Sequence, residues 1–541
     1  MCMKKLLIAL LFTGIVSPAV VLAGGIVTNA NQSASYVRML ARDASTSLDA
    51  VYYNPAGLTK LADGFHLSLT NQSIFQKKTI ENKFPYLHES KYVGDVAAPL
   101  FPSLYAVYKK NKLALSFGFN PNAGGGSADY KTGLPSFEIP VSVIPASLTA
   151  NGIPTNNYSA DINFEGTSVF WGAQVNASYA ITEMLSVSGG VRMIFAKNTY
   201  QGYLKNIMIN PNQPAFGAAY NGSNLVSAPT FFADAATALN GWSAGATGYS
   251  TIISGKISGG EAGTTLLSAS TLTPTQIGTV QGLLGAAGLT PAQIGAIDLQ
   301  TAQATLTAAA PVFTGKANAM SANAAATADV EVDAEQTGTG YTPILGANLT
   351  IGEKLNIGFK YEFKTKLTLE NKTKIDGTGM FTDGVKFRSD IPAILSVGIA
   401  YAVLPQLRLS TGLHYYFDKD ATIETAPGQK KKIEGNLYEI ALGGEYDITD
   451  KILISAGYLY AKTGVGQGYQ TDLSHSLTSS TVGFGGAFKA TEKMQINLGM
   501  LYTMYSSDSK SIDYTAYGVP SAKETYNRTN IVFSVGVDYH F

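Results

Sequence analysis

Apolar and polar residues alternate along most of this chain. From Leu355 to Phe363 the odd positions are apolar or aromatic and the even positions are glycine, polar or charged. The same alternation recurs over residues 407–418 and 494–502. Successive side chains of a β-strand point to opposite faces, so each such strand has one apolar and one polar face. The pattern predicts an all-β fold whose strands face lipid on one side and a polar lumen on the other.

Short polar turns join these runs in pairs near residues 110, 182, 353, 405, 449 and 492. The remaining connections are long and lie at about 81–100, 121–165, 206–335, 371–389, 426–435, 466–475 and 509–526. Short turns at one end and long loops at the other are typical of transmembrane antiparallel β-barrels. Six short turns and seven long loops predict about fourteen strands.

Both ends of the chain carry signals for export. Lys4 and Lys5 precede an apolar run and then small residues up to Ala23, which is the pattern of a cleaved signal peptide. The last strand alternates up to the terminal Phe541. This end resembles the C-terminal signature by which outer-membrane proteins are recognised by the barrel-assembly machinery. We therefore expect an outer-membrane protein of a Gram-negative bacterium, with its C-terminus at the periplasmic side.

The composition excludes several classes of protein. The chain has 56 Gly, 30 Tyr and 24 Phe but only 14% charged residues. Without Lys4 and Lys5 it carries 36 basic and 38 acidic residues, a net charge of 36 − 38 = −2, which does not indicate nucleic-acid binding. Its one cysteine, Cys2, leaves with the signal peptide, so a disulfide-stapled enzyme is excluded. No later apolar run approaches the roughly 20 residues of a spanning helix, so any membrane span is β.

Nothing in the sequence predicts catalysis, a cofactor or a metal. The five histidines are scattered without the spacing of metal ligands. Ser410 and His414 share a strand face, but four residues of strand separate them by about 13 Å, too far for a hydrogen bond. The glycine run at 124–126 lacks the lysine and helix of a phosphate-binding loop.

The connection at 206–335 is poor in charge and too long to be structureless. Within it, "TPTQIG" at Thr273 and "TPAQIG" at Thr290 each place a threonine cap before a proline, which predicts helix starts. Ile277, Val280 and Leu284 then share one helix face. Two interpretations stay open: a helical cap with an apolar groove above the barrel mouth, and a variable surface loop without a ligand role.

The stretch "LDAVYYNPAGLTKLADG", residues 48–64, comes just before the first predicted strand. Pro55 fixes its own φ and forces Asn54 into an extended conformation, and Gly57 permits a tight reversal. Such a rigid turn suits a plug inside a barrel better than a flexible tail. A barrel of fourteen strands would leak unless its lumen were filled.

Residues 43–58, "DASTSLDAVYYNPAGL", resemble the hatch motif of the FadL long-chain fatty acid transporter family, which includes hydrocarbon transporters. With the signal peptide at 1–23, the resemblance implies an N-terminal hatch at 24–63 inside the lumen and a barrel at 64–541. It implies a monomer that takes up hydrophobic molecules without an energy source. It further implies that loops capture the substrate, that the hatch gates a pocket, and that the substrate leaves sideways into the outer membrane beneath the lipopolysaccharide. Asn54, Pro55 and Ala56 correspond to the family's hatch motif.

Two further sets of residues are candidates for function. The lateral opening is expected at Gly118, Phe119, Asn120, Pro121, Gly124 and Gly125, because proline donates no ladder hydrogen bond and glycine bends a strand freely. Alternatively, Pro121 only marks the start of the second loop. A substrate carboxylate could be held by Lys360, Lys364 or Arg408, or these could be ordinary lumen charges paired with Glu362 or Asp418.

Two other functions remain open at this point. A plugged barrel that displays a large loop could be an adhesin or a structural protein. An aqueous porin for other small solutes needs an open, charged lumen, and the predicted hatch argues against one.

Overall fold

The computed structural model describes residues 29–541, so the predicted signal peptide lies outside the described residues. The described chain divides into two units. The first, the barrel unit, comprises residues 29–139, 162–203 and 330–541. The second, the helical unit, comprises residues 140–161 and 204–329. Each unit has its own apolar core.

Twenty strands are assigned within residues 29–541. They are β1 (Gly64–Asn82), β2 (Lys91–Lys110), β3 (Leu113–Tyr130), β4 (Tyr158–Ala180), β5 (Leu185–Ile209), β6 (Val226–Ser227), β7 (Val330–Ile351), β8 (Leu355–Glu362), β9 (Thr368–Asp376), β10 (Lys386–Arg388), β11 (Ile394–Leu404), β12 (Leu407–Tyr416), β13 (Glu424–Ala426), β14 (Gln429–Lys430), β15 (Tyr438–Asp447), β16 (Ile452–Lys462), β17 (Ser479–Thr491), β18 (Met494–Tyr505), β19 (Asp508–Tyr514) and β20 (Val519–His540).

These strands form a closed antiparallel barrel of fourteen strands, because β20 pairs with β1 along its length. Three of the fourteen are built from two segments each. β8 and β9 both pair with β7, β10 and β11 follow them on the next strand, and β18 and β19 both pair with β20. Three short strands, β6, β13 and β14, stand outside this count. The predicted fold class and strand number are confirmed.

Exposure along the strands follows the predicted alternation. Phe359 and Leu498 are 43% and 56% exposed on the outer face, whereas their neighbours Lys360 and Asn497 are 3% and 2% exposed inside. All six predicted short turns join consecutive strands. The predicted limits of several long loops are wrong, because the strands extend into the ranges that were predicted as loops. β3 runs on to Tyr130, so Pro121 lies inside a strand and does not start the second loop.

The N-terminal segment, residues 29–63, is enclosed by the barrel strands. It contains α1 (Ala34–Met39), α2 (Ala50–Tyr53) and a 3₁₀ helix at Pro55–Lys60. Glycines on the inner wall make room for its backbone. A Cβ at Gly457 would lie 1.9 Å from the Met39 carbonyl oxygen, and one at Gly443 would lie 2.4 Å from the same atom. Side chains of β1, β2, β3, β15, β16, β18 and β20 pack on the segment in one apolar cluster.

The helical unit is organised by helices rather than strands. Its helices are α4 (Ile144–Ala150), α5 (Ala228–Lys256), α6 (Pro274–Ala286), α7 (Pro291–Ala296) and α8 (Leu299–Ala326), and α3 (Pro135–Ser142) ends in it. The long helices α5 and α8 pack together, with the rings of Trp242 and Phe313 5.8 Å apart. Thr273 and Thr290 cap α6 and α7 as predicted, each in a capping box. None of the helices within residues 29–541 is long and apolar enough to cross a membrane.

Candidate binding cavity and wall opening

The Asn54-Pro55-Ala56 turn is fastened to the inner wall by hydrogen bonds. Asn54 Nδ2 donates to Asn348 Oδ1 at 2.7 Å and to the Ser45 carbonyl at 3.0 Å. The carbonyl oxygens of Pro55 and Ala56 accept from serine hydroxyls on β4 and β5, at 2.7 and 2.8 Å. Pro55 begins the 3₁₀ helix, where its missing N–H leaves no buried donor unpaired.

The residues before this turn are held in the same way. The Tyr52 carbonyl accepts from Lys360 Nζ at 2.8 Å, and the Val51 carbonyl accepts from Gln174 Nε2 at 2.8 Å. Lys360 also forms an ion pair with Glu362 at 2.6 Å, and both side chains are 4% exposed. Lys360, a candidate for binding a substrate carboxylate, is therefore already engaged by the wall and the N-terminal segment.

The other two predicted cations lie elsewhere. Lys364 Nζ donates to the Asp420 carbonyl at 2.9 Å in an exposed position. Arg408 Nε pairs with Glu445 at 3.1 Å. The structure does not bring Lys360, Lys364 and Arg408 to one site, and a role for them in carboxylate binding stays a prediction.

A second set of buried charges fixes α1 and the turn after it. Arg38 pairs with Glu445 at 2.7 Å, and Arg42 pairs with Asp49 at 2.8 Å. Burial alone would raise the pKa of the Asp49 carboxyl, but the Arg42 guanidinium and hydroxyl donors hold that pKa below its usual value.

His414, on β12, links the segment to the wall. Its Nε2 lies 2.6 Å from Asp43 Oδ1 and its Nδ1 lies 2.8 Å from Glu439 Oε2. Both ring nitrogens of His414 therefore face carboxyl groups, one from the N-terminal segment and one from β15.

A cavity of about 160 Å³ lies in the barrel beside the first part of the N-terminal segment. Its apolar lining is Ala30, Tyr36, Leu40, Ile74, Leu437, Leu459, Ala461, Leu477, Leu501 and Tyr505, and its polar lining includes Asn29, Asn31, Gln76, Glu439, Thr481, Thr503, Arg528 and Asn530. Apolar and polar side chains contribute about equally to the lining, so the cavity offers apolar surface together with hydrogen-bonding and charged groups.

Arg528 places a positive charge in the lining of this cavity. It is 6% exposed, its Nη2 donates to the His475 carbonyl at 3.0 Å, and its guanidinium lies 5.2 Å from the centre of the Tyr505 ring. Its Nε has no hydrogen-bond partner, and no carboxylate within residues 29–541 pairs with it. Burial, Arg528 and Lys78 lower the pKa of His475 well below its usual value, so His475 adds no charge.

Sequence reasoning missed Arg528, although a signal for it exists. The residue shares the inward register of β20 with Asn530 and Ser534, so parity along the last strand could have identified it. What the sequence could not give is the missing counter-charge, which depends on side chains from other strands and from the connection after β16.

The ladder between β2 and β3 is interrupted beside this cavity. The two strands pair from Leu104 and Phe119 towards their turn, and again at Ala97 and Ser127, but not between. The unpaired stretches contain Pro99, Pro102 and Pro121, which have no N–H to lose. Of the predicted opening residues, Gly118 and Phe119 lie at the lower edge of the break, which is the edge nearer the β2–β3 turn. Asn120, Pro121, Gly124 and Gly125 lie within the break.

The first described residues fill the inner side of this break. Asn29 N donates to the Asn122 carbonyl at 3.0 Å, and Asn29 Nδ2 donates to the Gly124 carbonyl. Gln32 Nε2 donates to the Pro121 carbonyl at 2.9 Å. The N-terminal segment thus bonds to three carbonyls of β3 within the stretch that β2 leaves unpaired.

The outer side of the break is apolar. Leu100 is 77% exposed there, and the rings of Phe119 and Trp171 stack at 5.1 Å along its lower edge. Gly124 and Asn29 belong both to the cavity lining and to the break. Within residues 29–541, the strip of residues 29–32 therefore lies between the cavity and the interrupted part of the wall.

Comparison with known proteins points to one family. Residues 293–541 match the family model described as outer membrane protein transport protein (OMPP1/FadL/TodX). The crystal structure of a Pseudomonas aeruginosa FadL homologue is 13% identical, over 96% of this chain and 100% of that chain, with a TM-score of 0.57, which shows a shared fold. No curated protein matches the chain in a sequence search.

Two toluene transporters are similar at a lower level. TodX of Pseudomonas putida is 12% identical over 96% of this chain and 100% of that chain, with a TM-score of 0.49. TbuX of Ralstonia pickettii is 15% identical over 91% of this chain and 94% of that chain, with a TM-score of 0.44.

Proposed function

We propose that this protein, whose residues 293–541 belong to the OMPP1/FadL/TodX family of outer-membrane transport proteins, takes up hydrophobic small molecules by passive diffusion. One observation carries the proposal: the cavity and the break in the β2–β3 ladder share Gly124 and Asn29. A molecule in the cavity is one short barrier away from the outer face of the barrel. The chain needs no energy source for this path, because the substrate moves from a polar surface layer into lipid.

The path that follows is a lateral one. The substrate enters the cavity, the N-terminal segment acts as the hatch, and the substrate leaves through the wall between β2 and β3 into the membrane. An acyl chain gains about 0.8 kcal/mol for each CH₂ that leaves water, so a route that ends in lipid is downhill. The apolar outer edge at Leu100, Phe119 and Trp171 favours such an exit.

The charge in the cavity suggests the substrate class. A buried guanidinium without a carboxylate partner is costly unless an anion joins it. A long-chain fatty acid provides both parts, with its carboxylate at Arg528 and its chain along the leucines of the cavity. Glu439 lines the same cavity and repels a carboxylate, so it orients the head group towards Arg528.

The setting in the cell completes the proposal. The barrel acts as a monomer in the outer membrane of a Gram-negative bacterium, beneath the lipopolysaccharide, after insertion by the barrel-assembly machinery. The C-terminus faces the periplasm, and the long loops, including residues 206–335, capture the substrate outside.

The structure bears differently on the two competing functions, porin and adhesin. A porin for polar solutes is disfavoured, since residues 29–63 occupy the lumen. An adhesin role rests on the helical unit, which has an apolar core of its own. Deleting that unit separates the two, because an adhesin loses its activity whereas a transporter keeps a binding cavity.

Uptake of labelled oleate by cells that lack their own transporter of this family tests the proposal. We expect uptake only when the protein is present, together with oleate bound to the purified protein. Equal uptake with and without the protein, at normal surface levels, would overturn it.

A further inference from the structure

Buried cations of the barrel unit are nearly all neutralised. Within residues 29–541, seven lysine and arginine side chains are buried. Five of these pair with a carboxylate at N–O distances of 2.5–2.8 Å, namely Arg38, Arg42, Lys109, Arg192 and Lys360. The other two are Lys78 and Arg528, and no carboxylate within residues 29–541 pairs with either of them. A buried charge without a partner is strongly unfavourable, so these two cations call for a counter-charge from outside the chain.

The two unpaired cations lie directly opposite each other at the seam that closes the barrel. Lys78 on β1 and Arg528 on β20 are Cα partners in the ladder, and their side chains are 3% and 6% exposed. Cβ atoms of directly opposite residues are about 4.5–5.5 Å apart, and like charges at such positions repel. Glu439, a carboxylate of the cavity lining, bonds to side chains of β12 instead. An anion between Lys78 and Arg528 would remove the repulsion and compensate both charges at once.

The pair stands at one end of the cavity. Arg528 lines the cavity, and so do Gln76 and Asn530, which form the next inward pair of the same ladder. The Arg528 Nε–H has no acceptor within residues 29–541. Buried donors are normally hydrogen-bonded, so this one points to a ligand oxygen. Lys78 adds three N–H donors beside it and the two amides add more, which suits a head group with several oxygens.

Charge and oxygen number favour one class of head group over a carboxylate. A carboxylate has two oxygens and one negative charge, and it therefore leaves one of the two cations uncompensated. A phosphate monoester has three terminal oxygens and a charge of about −1.5 to −2 at neutral pH. Arginine and lysine both bind phosphate commonly in proteins. The rest of the lining includes Leu437, Leu459, Leu477 and Leu501, which suit an aliphatic chain.

We infer that Lys78 and Arg528 together form a head-group site for a doubly charged anion, and that the ligand it prefers is a phosphate monoester carried by a single aliphatic chain. The inference rests on the proposed uptake function, for which Arg528 alone would suffice. Lys78 determines specificity, because it supplies the charge that a phosphate needs and a carboxylate does not. Fatty acids still bind, with their single charge at Arg528, but more weakly than the matching alkyl phosphate.

Three ligands with the same chain separate charge from shape. Dodecyl phosphate carries nearly two charges at about pH 8, because the second pKa of a phosphate monoester is about 6. Dodecyl methyl phosphate has a similar head group with one charge, and dodecanoate has a smaller head group with one charge. Calorimetric titration of the purified protein gives the three affinities. We expect dodecyl phosphate to bind at least about tenfold more tightly than the other two.

Two neighbouring lysines of β1 provide the variant and its control. Lys78→Gln removes the inward charge, and Lys77→Gln removes an outward charge that is 59% exposed and lies 3.7 Å from Asp95. We expect Lys78→Gln to weaken dodecyl phosphate at least about tenfold and to abolish its preference over the singly charged ligands, whereas Lys77→Gln keeps that preference. Lys78→Arg should restore it, since this variant returns the charge. A change of gel mobility on boiling shows that each variant is a folded barrel.

Two results would overturn the inference. Equal affinity of the parent protein for dodecyl phosphate and dodecyl methyl phosphate would mean that the second charge is not recognised. An equal loss for all three ligands in Lys78→Gln would mean that Lys78 does not select among head groups. In both cases binding of dodecanoate leaves the proposed function standing. No binding of any of the three ligands, together with no oleate uptake, means that the proposed function itself has failed.

Thermal unfolding of the parent protein is a second readout that needs no substitution. A ligand that binds only the folded state raises the unfolding temperature, and at equal concentration the tighter ligand raises it more. Dodecyl phosphate should therefore stabilise the barrel more than dodecyl methyl phosphate does. An equal or smaller rise with dodecyl phosphate would contradict the inference.

Discussion

At the scale of single residues, the proposed function assigns the choice of substrate to Arg528, which has no carboxylate partner within residues 29–541. A hydrogen bond to a charged group contributes about 1.5–3 kcal/mol, or roughly tenfold to a hundredfold in affinity. We predict that Arg528→Gln weakens oleate binding by that factor while binding of an uncharged hydrocarbon changes less than twofold. Fluorescence titration of the purified protein measures both. Lys77→Gln, an exposed cation on β1, is the matched control, and equal loss in the two variants would refute a carboxylate site.

Asn54 fastens the Asn54-Pro55-Ala56 turn to the inner wall. Replacing it by alanine removes the donor to Asn348 and to the Ser45 carbonyl and leaves both acceptors buried. We predict a cost of about 1–3 kcal/mol, felt in the segment and not in the wall. Hydrogen exchange at residues 50–58 should quicken while the barrel remains folded. Asn151→Ala, at an exposed position in the helical unit, should leave that exchange unchanged.

At the scale of elements, the break between β2 and β3 is the feature to test. A disulfide between Ser103→Cys and Asn120→Cys would close its lower edge, and we predict a reversible loss of uptake. Val107→Cys with Ser116→Cys joins the same two strands where they are already paired, so this crosslink should have no effect. Transport through a fully closed edge would rule out a lateral exit at this position.

At the scale of the whole molecule, the two units should be separable. Asn206 N and the Asp329 carboxylate are 2.9 Å apart, so a short linker can replace residues 207–328. In the same variant, Ile144 and Leu148 would be replaced by serine, because these two apolar side chains lose their packing partners in the deleted segment. We predict a folded barrel whose mobility in gel electrophoresis still changes on boiling, with slower capture of dilute oleate and unchanged affinity of the cavity. A sample that does not fold would show that the helices are structural.

The sequence by itself determined the barrel. Alternation, six short turns and the terminal Phe541 predicted fourteen strands, because a lipid-facing wall demands a period of two in every strand. The family resemblance drawn from residues 43–58 is confirmed by the match over residues 293–541. The helix starts at Thr273 and Thr290 were also predictable, since capping is local chemistry.

Only the tertiary structure decided where the cavity lies and what borders it. Within residues 29–541 Arg528 has no carboxylate partner, because its neighbours come from strands and connections distant in sequence, and no local pattern encodes the absence of a counter-charge. Pro121 alone was compatible with a loop or a break, and the choice depends on which residues of β2 stand opposite. The position of residues 29–32 has no signal in the sequence, because those residues bond to β3 through backbone carbonyls almost a hundred positions away, and every residue has such a carbonyl.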